Sequence, residues 1–423
     1  MPIANSLSAL GGRFPALQHR DFRIVWFGMF FASATMMFQF YAQGWFVLSL
    51  TSSVTLLGVL GVSRGTGMLI FSMYGGALAD RVDRRTLLIV TQSLAFAIYA
   101  VLSVLILLDR IALWQAFVLI FLSASVESVD APARQALLPH LVPREHIANA
   151  VALLMAAQIS AFAYLPPLAG LAIETIGTGG AFAVSLLGHV VVVAALFALR
   201  VRPVSQRSAD TLVRSIGQGV SYSAGQPAVL WIILFNLFIG LLGFPIISTL
   251  APFWMRHELG LGAVGWTMMG WMWGLGTVVS SVAFSAWRLS GQFGRIFVVS
   301  AVGFALSLIA FSLTRSLPLA ALAWAVNGMF FTTNIIVSAS LLQMIVPAAY
   351  MGRVMSLRTI SGAFNQIAAA PLGAVADGVG IDRMVPAAAL LLTLLIIAPS
   401  LAVPAVRALD ENVKRRLQEP QAV

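Results

Sequence analysis

Cysteine is absent from the 423 residues, and of the 25 basic side chains only Lys414 is a lysine. The first absence excludes a disulfide framework and any metal or haem site held by thiolates. Charge is scarce as well. Only 9% of residues are Asp, Glu, Lys or Arg, against about 25% in soluble domains. Apolar residues make up 60% of the chain and the mean hydropathy is +0.94. A chain this long with so little polar surface cannot stay dispersed in water, so the composition implies an integral membrane protein. A net charge of +10 and a pI of about 11.1 point at first toward nucleic acid. The basic residues are instead scattered in short segments between apolar runs, so no nucleic-acid partner is expected. No HExxH string, Gly-x-Ser-x-Gly elbow or phosphate loop is present, and neither an enzyme, a cofactor nor a metal site is expected.

A bilayer-spanning helix needs roughly 20 apolar residues. Twelve stretches meet this, at about 22–48, 55–79, 86–108, 112–137, 147–173, 180–200, 227–254, 261–287, 293–314, 317–345, 353–376 and 384–406. The first is about twice as long as the apolar core of a signal peptide and is read as a span. The expected fold is therefore all-α and membrane-embedded, with twelve helices. An even number of spans puts both termini on one side. Twenty of the 25 Lys and Arg residues fall on that side and four on the other, with Arg64 inside the second span. Positive charge stays inside, so the termini are expected in the cytoplasm.

The longest polar connection is 201–226, which divides the chain into a segment 1–21, a six-helix bundle 22–200, a linker, a second six-helix bundle 227–406 and a tail 407–423. The halves echo each other at one offset. Val142-Pro143 and Val346-Pro347 are 204 residues apart, as are Pro167-Leu168 and Pro371-Leu372, and Arg84 and Arg288. Parallel six-helix repeats place a substrate site at the midplane between them.

Between spans two and three the sequence reads Gly76-Ala-Leu-Ala-Asp80-Arg81-Val-Asp83-Arg84-Arg85. This resembles the loop signature Gly-x-x-x-Asp-Arg-x-x-Arg-Arg of the major facilitator superfamily, and the resemblance extends over essentially the whole chain. In the second copy Phe284 stands where Asp80 stands in the first. Three further strings resemble the bacterial exporters that include enterobactin and macrolide efflux proteins. They are Ala131-Pro-Ala-Arg134-Gln-Ala-Leu-Leu-Pro139, Leu141-Val-Pro-Arg-Glu145 and Gly352-Arg-Val-Met-Ser-Leu357. The resemblance implies that Gly76, Asp80, Arg81, Arg84, Arg85, Asp130 and Arg134 form a cytoplasmic latch, with Asp80 near the start of span eleven.

Charges within a bilayer cost about 2.5–3.5 kcal/mol each at mid-depth and are functional candidates by default. Here they are Arg64, Glu127, Asp130 and, at the edge, Asp377. Asp130 and Arg134 are one turn apart on span four, and Glu127 is one turn deeper. Glu127, Asp130 and Asp80 are the proton-coupling candidates. Arg64, about 24 Å along the helix from Asp80, either pairs with Glu127 or binds an anionic group of a substrate. His189 in span six reads as a packed histidine.

The resemblance assigns spans one, four, seven and ten to the cavity wall. They carry Gln39, Tyr41, Gln43, Trp45, Asn236, Asn327 and Asn334. Aromatic walls with a few amides suit an amphiphilic organic molecule, and the same amides equally suit interhelical hydrogen bonding. The expectation is a monomeric secondary transporter of a bacterial inner membrane, exporting a drug-like or siderophore-like molecule in exchange for protons. The alternatives are export or flipping of an anionic or lysolipid cargo held by Arg64, or a scaffold or receptor that moves nothing.

Overall fold

The computed structural model describes residues 15–79, 82–200, 212–286, 292–411 and 413, and among them the chain is helical without a strand. In hydrocarbon every backbone N–H and C=O must be satisfied within its own segment, which an α-helix does and an open sheet does not. After a short 3-10 turn Pro15–Gln18 come α1 (Arg20–Leu50), α2 (Val54–Ala79), α3 (Arg84–Leu107), α4 (Leu113–Leu137) and α5 (Ile147–Phe197). Then follow α6 (Leu212–Ala224), α7 (Pro227–Phe238), α8 (Ala251–Glu258), α9 (Ala263–Ala286), α10 (Phe293–Leu313) and α11 (Leu317–Ile345). The last are α12 (Ala348–Ile367), α13 (Ala369–Val379), α14 (Ile381–Ala402) and the single turn α15 (Pro404–Arg407).

Among the described residues nine helices are long and apolar enough to cross a membrane. The expected spans at 147–173, 261–287 and 353–376 are not among them. In α9 the apolar residues are interrupted by Trp266, Trp271, Trp273, four glycines and Ser and Thr side chains, which lower its hydropathy. The helix α12 carries Arg353 and Arg358 and ends at Ile367. Pro371, lacking an N–H, cannot bond the carbonyl four residues back, and the chain pauses at Ala368 before resuming as α13.

Two other breaks have local causes. Within α5, Gly177 takes φ +72° and ψ 174°, a conformation that costs glycine little, so Ile147–Phe197 is two helices meeting at that residue. The break falls between the spans placed at 147–173 and 180–200. The sequence pattern predicts one uninterrupted helix over 227–254. Instead π-helical turns occupy Ile239–Gly243 and Ile246–Leu250, on either side of Pro245. A proline without a donor and wide turns that rearrange the hydrogen-bond ladder commonly occur together.

The chain divides into two compact units, Met1–Phe46 with Thr66–Ala209, and Val47–Gly65 with Asp210–Val423. Helix α2 therefore begins in the second unit and ends in the first. In the first unit Phe22, Leu87, Leu88, Val129, Leu137 and Val192 pack into one apolar cluster. In the second, several buried aromatic rings pack against one another. Phe235 stacks on Phe297 with centroids 5.7 Å apart, and Phe311 lies 4.4 Å from Trp324 and 5.9 Å from Trp254. Val90, Val101, Leu187, Val190 and Leu394 point outward and are exposed, as expected of a protein whose solvent is hydrocarbon.

The first half of α2 lies against α12 and α13 along a stripe of glycines. A Cβ on Gly58 would stand 2.5 Å from the Ala369 carbonyl oxygen, and one on Gly65 2.6 Å from that of Ala363. Gly373 returns the contact, 2.5 Å from the Val54 carbonyl oxygen. Small residues let helix backbones approach this closely. Gly58→Leu is therefore expected to cost about 1–3 kcal/mol through overpacking. It should lower the thermal midpoint of the detergent-solubilised protein relative to Gly217→Leu, since nothing stands within 4 Å of a Cβ at Gly217. Equal midpoints would contradict the close approach.

Candidate functional site

Among the described residues of the first unit, polar side chains from four helices form a connected set around Asp130. Asp130 on α4 is 6% exposed and accepts from four donors. Arg134, one turn on, bonds Oδ2 through Nε at 3.1 Å and through Nη2. The Thr91 hydroxyl and the Gln92 amide, both on α3, donate to Oδ1 at 3.0 Å each. Arg134 also directs Nη1 to the Met29 sulfur at 2.9 Å. A buried carboxylate is tolerable only when its lone pairs are filled and its charge is opposed, and this set supplies both.

The Gln92 side chain continues the set. Its Oε1 lies 2.8 Å from Nδ1 of His189 on α5, and His189 Nε2 lies 3.0 Å from Nε2 of Gln39 on α1. Gln39 also donates to Ser185 Oγ at 3.3 Å. A second strand of contacts runs alongside. Gln43 donates to the Tyr99 hydroxyl at 2.9 Å, and that hydroxyl donates to Glu127 Oε1 at 2.9 Å. The Tyr99 ring stacks on His189 with centroids 5.9 Å apart. Gln39, Gln43, Asp130, Arg134 and Glu127 are thus brought together by groups the sequence reading had not selected: Thr91, Gln92, Tyr99 and His189. A periodic signal for them exists. Gln92 and Tyr99 are seven residues apart in an otherwise apolar run, and Ser185 and His189 are four apart, each pair sharing one helix face. His189 is not simply packed but bonded at both ring nitrogens.

The other selected residues fall elsewhere. Tyr41 is buried edge-on to Phe40 at 5.2 Å, and Trp45 is half-buried. Asn327 is fully buried. It donates to the Phe304 carbonyl at 3.2 Å and to Ser307 Oγ at 3.0 Å, and accepts from Trp273 Nε1 at 3.2 Å. Asn334 donates toward the Phe297 carbonyl at 3.4 Å and Ser300 Oγ at 3.3 Å. Both amides join α11 to its neighbours. Asn236 donates to Ile232 in its own helix at 2.7 Å. Arg64 is half-buried in the part of α2 that belongs to the second unit, whereas Glu127 belongs to the first.

Of the loop signature, Asp80 and Arg81 lie outside the described residues, as does Arg288 of the repeat, and Gly76 is in the last turn of α2. The following residues hold helix ends. Asp83 caps α3 by accepting from the Thr86 N–H at 2.8 Å. Arg85 donates to the Leu196 and Phe197 carbonyls at 2.7 and 2.8 Å, where α5 ends and a cation is favoured. Arg84 is buried, with Nη1 2.9 Å from His140 Nε2.

Asp377, which the sequence places at the membrane edge, is exposed and serves the start of α2 within the second unit. Its carboxylate accepts from Ser53 Oγ at 2.6 Å, the Val54 N–H at 2.8 Å and the Thr55 N–H at 3.0 Å. Partial burial pushes this carboxyl up, but the hydrogen bonds from Ser53, Thr55 and Val54 outweigh it and bring it from 3.8 down to about 2. A depressed carboxyl contributes stability above its unfolded value and loses it as pH falls through the folded one. Asp377→Asn is therefore expected to lower the thermal midpoint at pH 7 by the equivalent of about 0.5–1 kcal/mol, small because the group is exposed. Wild type and variant should converge between pH 4 and about pH 2. A gap that persists unchanged at the acid end would show that the charge is not what the cap uses.

Residues 11–423 match the family model described as transmembrane secretion effector. The enterobactin exporter EntS of Shigella boydii is 23% identical over 361 residues, 84% of this chain and 85% of that protein. The staphyloferrin A transporter of Staphylococcus aureus is 32% identical over 108 residues, 25% of this chain and 27% of that protein. Among solved structures, a POT family transporter in complex with 5-aminolevulinic acid superimposes with a TM-score of 0.72 at 13% identity, covering 92% of this chain and 97% of that one. A bacterial homologue of the human lysosomal transporter Spinster gives a TM-score of 0.65 at 14% identity, covering 94% and 98%. The chain belongs to the transmembrane secretion effectors, a family of membrane transporters within the major facilitator superfamily.

Proposed function

We propose that this transporter exports an amphiphilic, siderophore-like or drug-like small molecule across a bacterial inner membrane in exchange for protons. In this reading it works as a monomer of twelve spans, with bundles at 22–200 and 227–406 joined by the linker 201–226, and both termini cytoplasmic. The observation that carries the reading is the buried Asp130–Arg134 pair, with Glu127 one turn away on the same helix. A structural scaffold has no use for two carboxylates inside an apolar bundle, whereas a proton-coupled cycle needs groups that hold and release a proton. The direction of transport is supported by the family description and by the enterobactin exporter among the relatives. One inward proton carries about 2.3 kcal/mol per 100 mV, enough for one or two to drive a neutral cargo outward. Asp80, Arg81, Arg84 and Arg85, with Gly76 and the Asp130–Arg134 pair, form the cytoplasmic latch in this account. Gln39, Tyr41, Gln43, Trp45 and Asn236 line the cargo side, and Asn327 and Asn334 act indirectly by fixing α11.

Arg64 favours a second reading. An arginine half-buried in a span cannot shed its charge, and it suits an anionic cargo such as a carboxylate siderophore or a lysolipid.

Efflux from pump-deficient cells separates these. Ethidium efflux by the wild type should be abolished by an uncoupler. In Glu127→Gln and Asp130→Asn at equal membrane expression it should fall about tenfold or more, corresponding to roughly 1.4 kcal/mol or more. Efflux of enterobactin or staphyloferrin A but not ethidium, lost in Arg64→Gln, would transfer the reading to an anionic cargo. Efflux of any of these that ignores both uncoupler and carboxylate substitutions would overturn proton coupling.

A further inference from the structure

Donor directions in the first unit can be assigned from chemistry alone. The Ser185 hydroxyl donates to the Phe182 carbonyl at 2.7 Å, so its oxygen accepts from Gln39. At the other end an ionised Asp130 only accepts, so Gln92 must present its NH2 to it and its carbonyl oxygen to His189. His189 Nδ1 then carries the proton, and Nε2 is the bare nitrogen that accepts from Gln39. Along the chain Gln39–His189–Gln92 each donor points toward Asp130.

Neutralising Asp130 reverses the boundary condition. Arg134 offers only donors, so the remaining carbonyl oxygen must stay with Arg134. The protonated oxygen then faces Thr91 and Gln92. Its single O–H serves one acceptor, so in the relayed state Thr91 keeps donating to a lone pair of that oxygen and the proton is directed to Gln92. Gln92 can accept only by turning its amide over, which presents NH2 to His189 Nδ1. The imidazole must then give up its Nδ1 proton and take one on Nε2, with no net change in its own charge. Gln39 in turn must offer its oxygen. The network as a whole gains one proton, on Asp130.

We propose that Gln92, His189 and Gln39 form an amide–imidazole relay that reports the protonation state of Asp130 on α4 to span one as a switch of tautomer and amide orientation. His189 is a positioning residue in this role, and the inference rests on reading Asp130 as a group that titrates in the cycle. Gln39 on α1 and Gln92 on α3 bond the imidazole, and Tyr99 on α3 stacks on it. Asp130 and Arg134 on α4 act on it through Gln92 and through space, and Glu127 is reached through Tyr99.

The test reads the ring directly and needs no cargo. The full chain, labelled with 15N-histidine and held in detergent, contains five histidines, and the His189 signals are those missing from His189→Gln. In the wild type at neutral pH the protonated-type resonance should belong to Nδ1 and the bare-type resonance to Nε2. In Asp130→Asn, whose amide mimics the neutral acid, the two should exchange. Gln92→Met should make the ring insensitive to Asp130→Asn. A wild-type ring protonated on Nε2, or a tautomer unmoved by Asp130→Asn, overturns the relay. A tautomer that still switches in Gln92→Met overturns it as well. Failure of uncoupler-sensitive efflux with an intact tautomer switch would instead remove the proton-exporter reading and leave the relay as a structural fact.

Discussion

A carboxylate buried in an apolar bundle must be satisfied by several donors and opposed by a cation, or it is discharged. Asp130 imposes that constraint on the first unit. Arg134 answers the charge, while Thr91 and Gln92 fill the remaining lone pairs. Gln92, once committed, fixes His189, and His189 fixes Gln39. Four helices, α1, α3, α4 and α5, are therefore tied by one chemical choice, the ionisation of a single group. The apolar cluster around Phe22, Leu87 and Val192 supplies area but no such specificity.

The second unit is built on a different principle. Its buried amides and hydroxyls join backbones and one another. Asn327 and Asn334 bond to α10, and Trp273 closes on Asn327. Asp377 bonds the first turn of α2. Glycines do the remaining work where backbones meet, at Gly58 and Gly65 on α2 and at Gly373 on α13. The wide π turns beside Pro245 relax the hydrogen-bond ladder between α7 and α8. Turns of that kind are frequent at functional sites.

Much of this was legible in the sequence. Apolar run length located most of the spans, because hydrocarbon thickness and helix rise leave little freedom. Gly177 falls between the runs 147–173 and 180–200. The pairing of Asp130 with Arg134 followed from a spacing of four on a helix. The loop signature and the exporter-like strings identified the family. What was not legible depends on partners distant in sequence. His189 read as packed because nothing local announces Gln39 or Gln92, 150 and 97 residues away. Asp377 read as a membrane-edge charge because its partners lie at residues 53–55. The amides of span ten looked equally suited to a cargo or to a neighbouring helix, and only the carbonyl groups of α10 decided which they touch. The π turns of the seventh apolar run depend on tertiary packing that hydropathy does not report.

In the proposed cycle cargo and protons compete through the carboxylates of α4. Proton release on cargo binding tests it most directly. Purified protein in weakly buffered detergent, titrated with ethidium beside a pH-sensitive dye, should release protons in the wild type. It should release fewer in Glu127→Gln and in Asp130→Asn at matched occupancy. Binding without proton release, or the same release from all three proteins, would contradict the account.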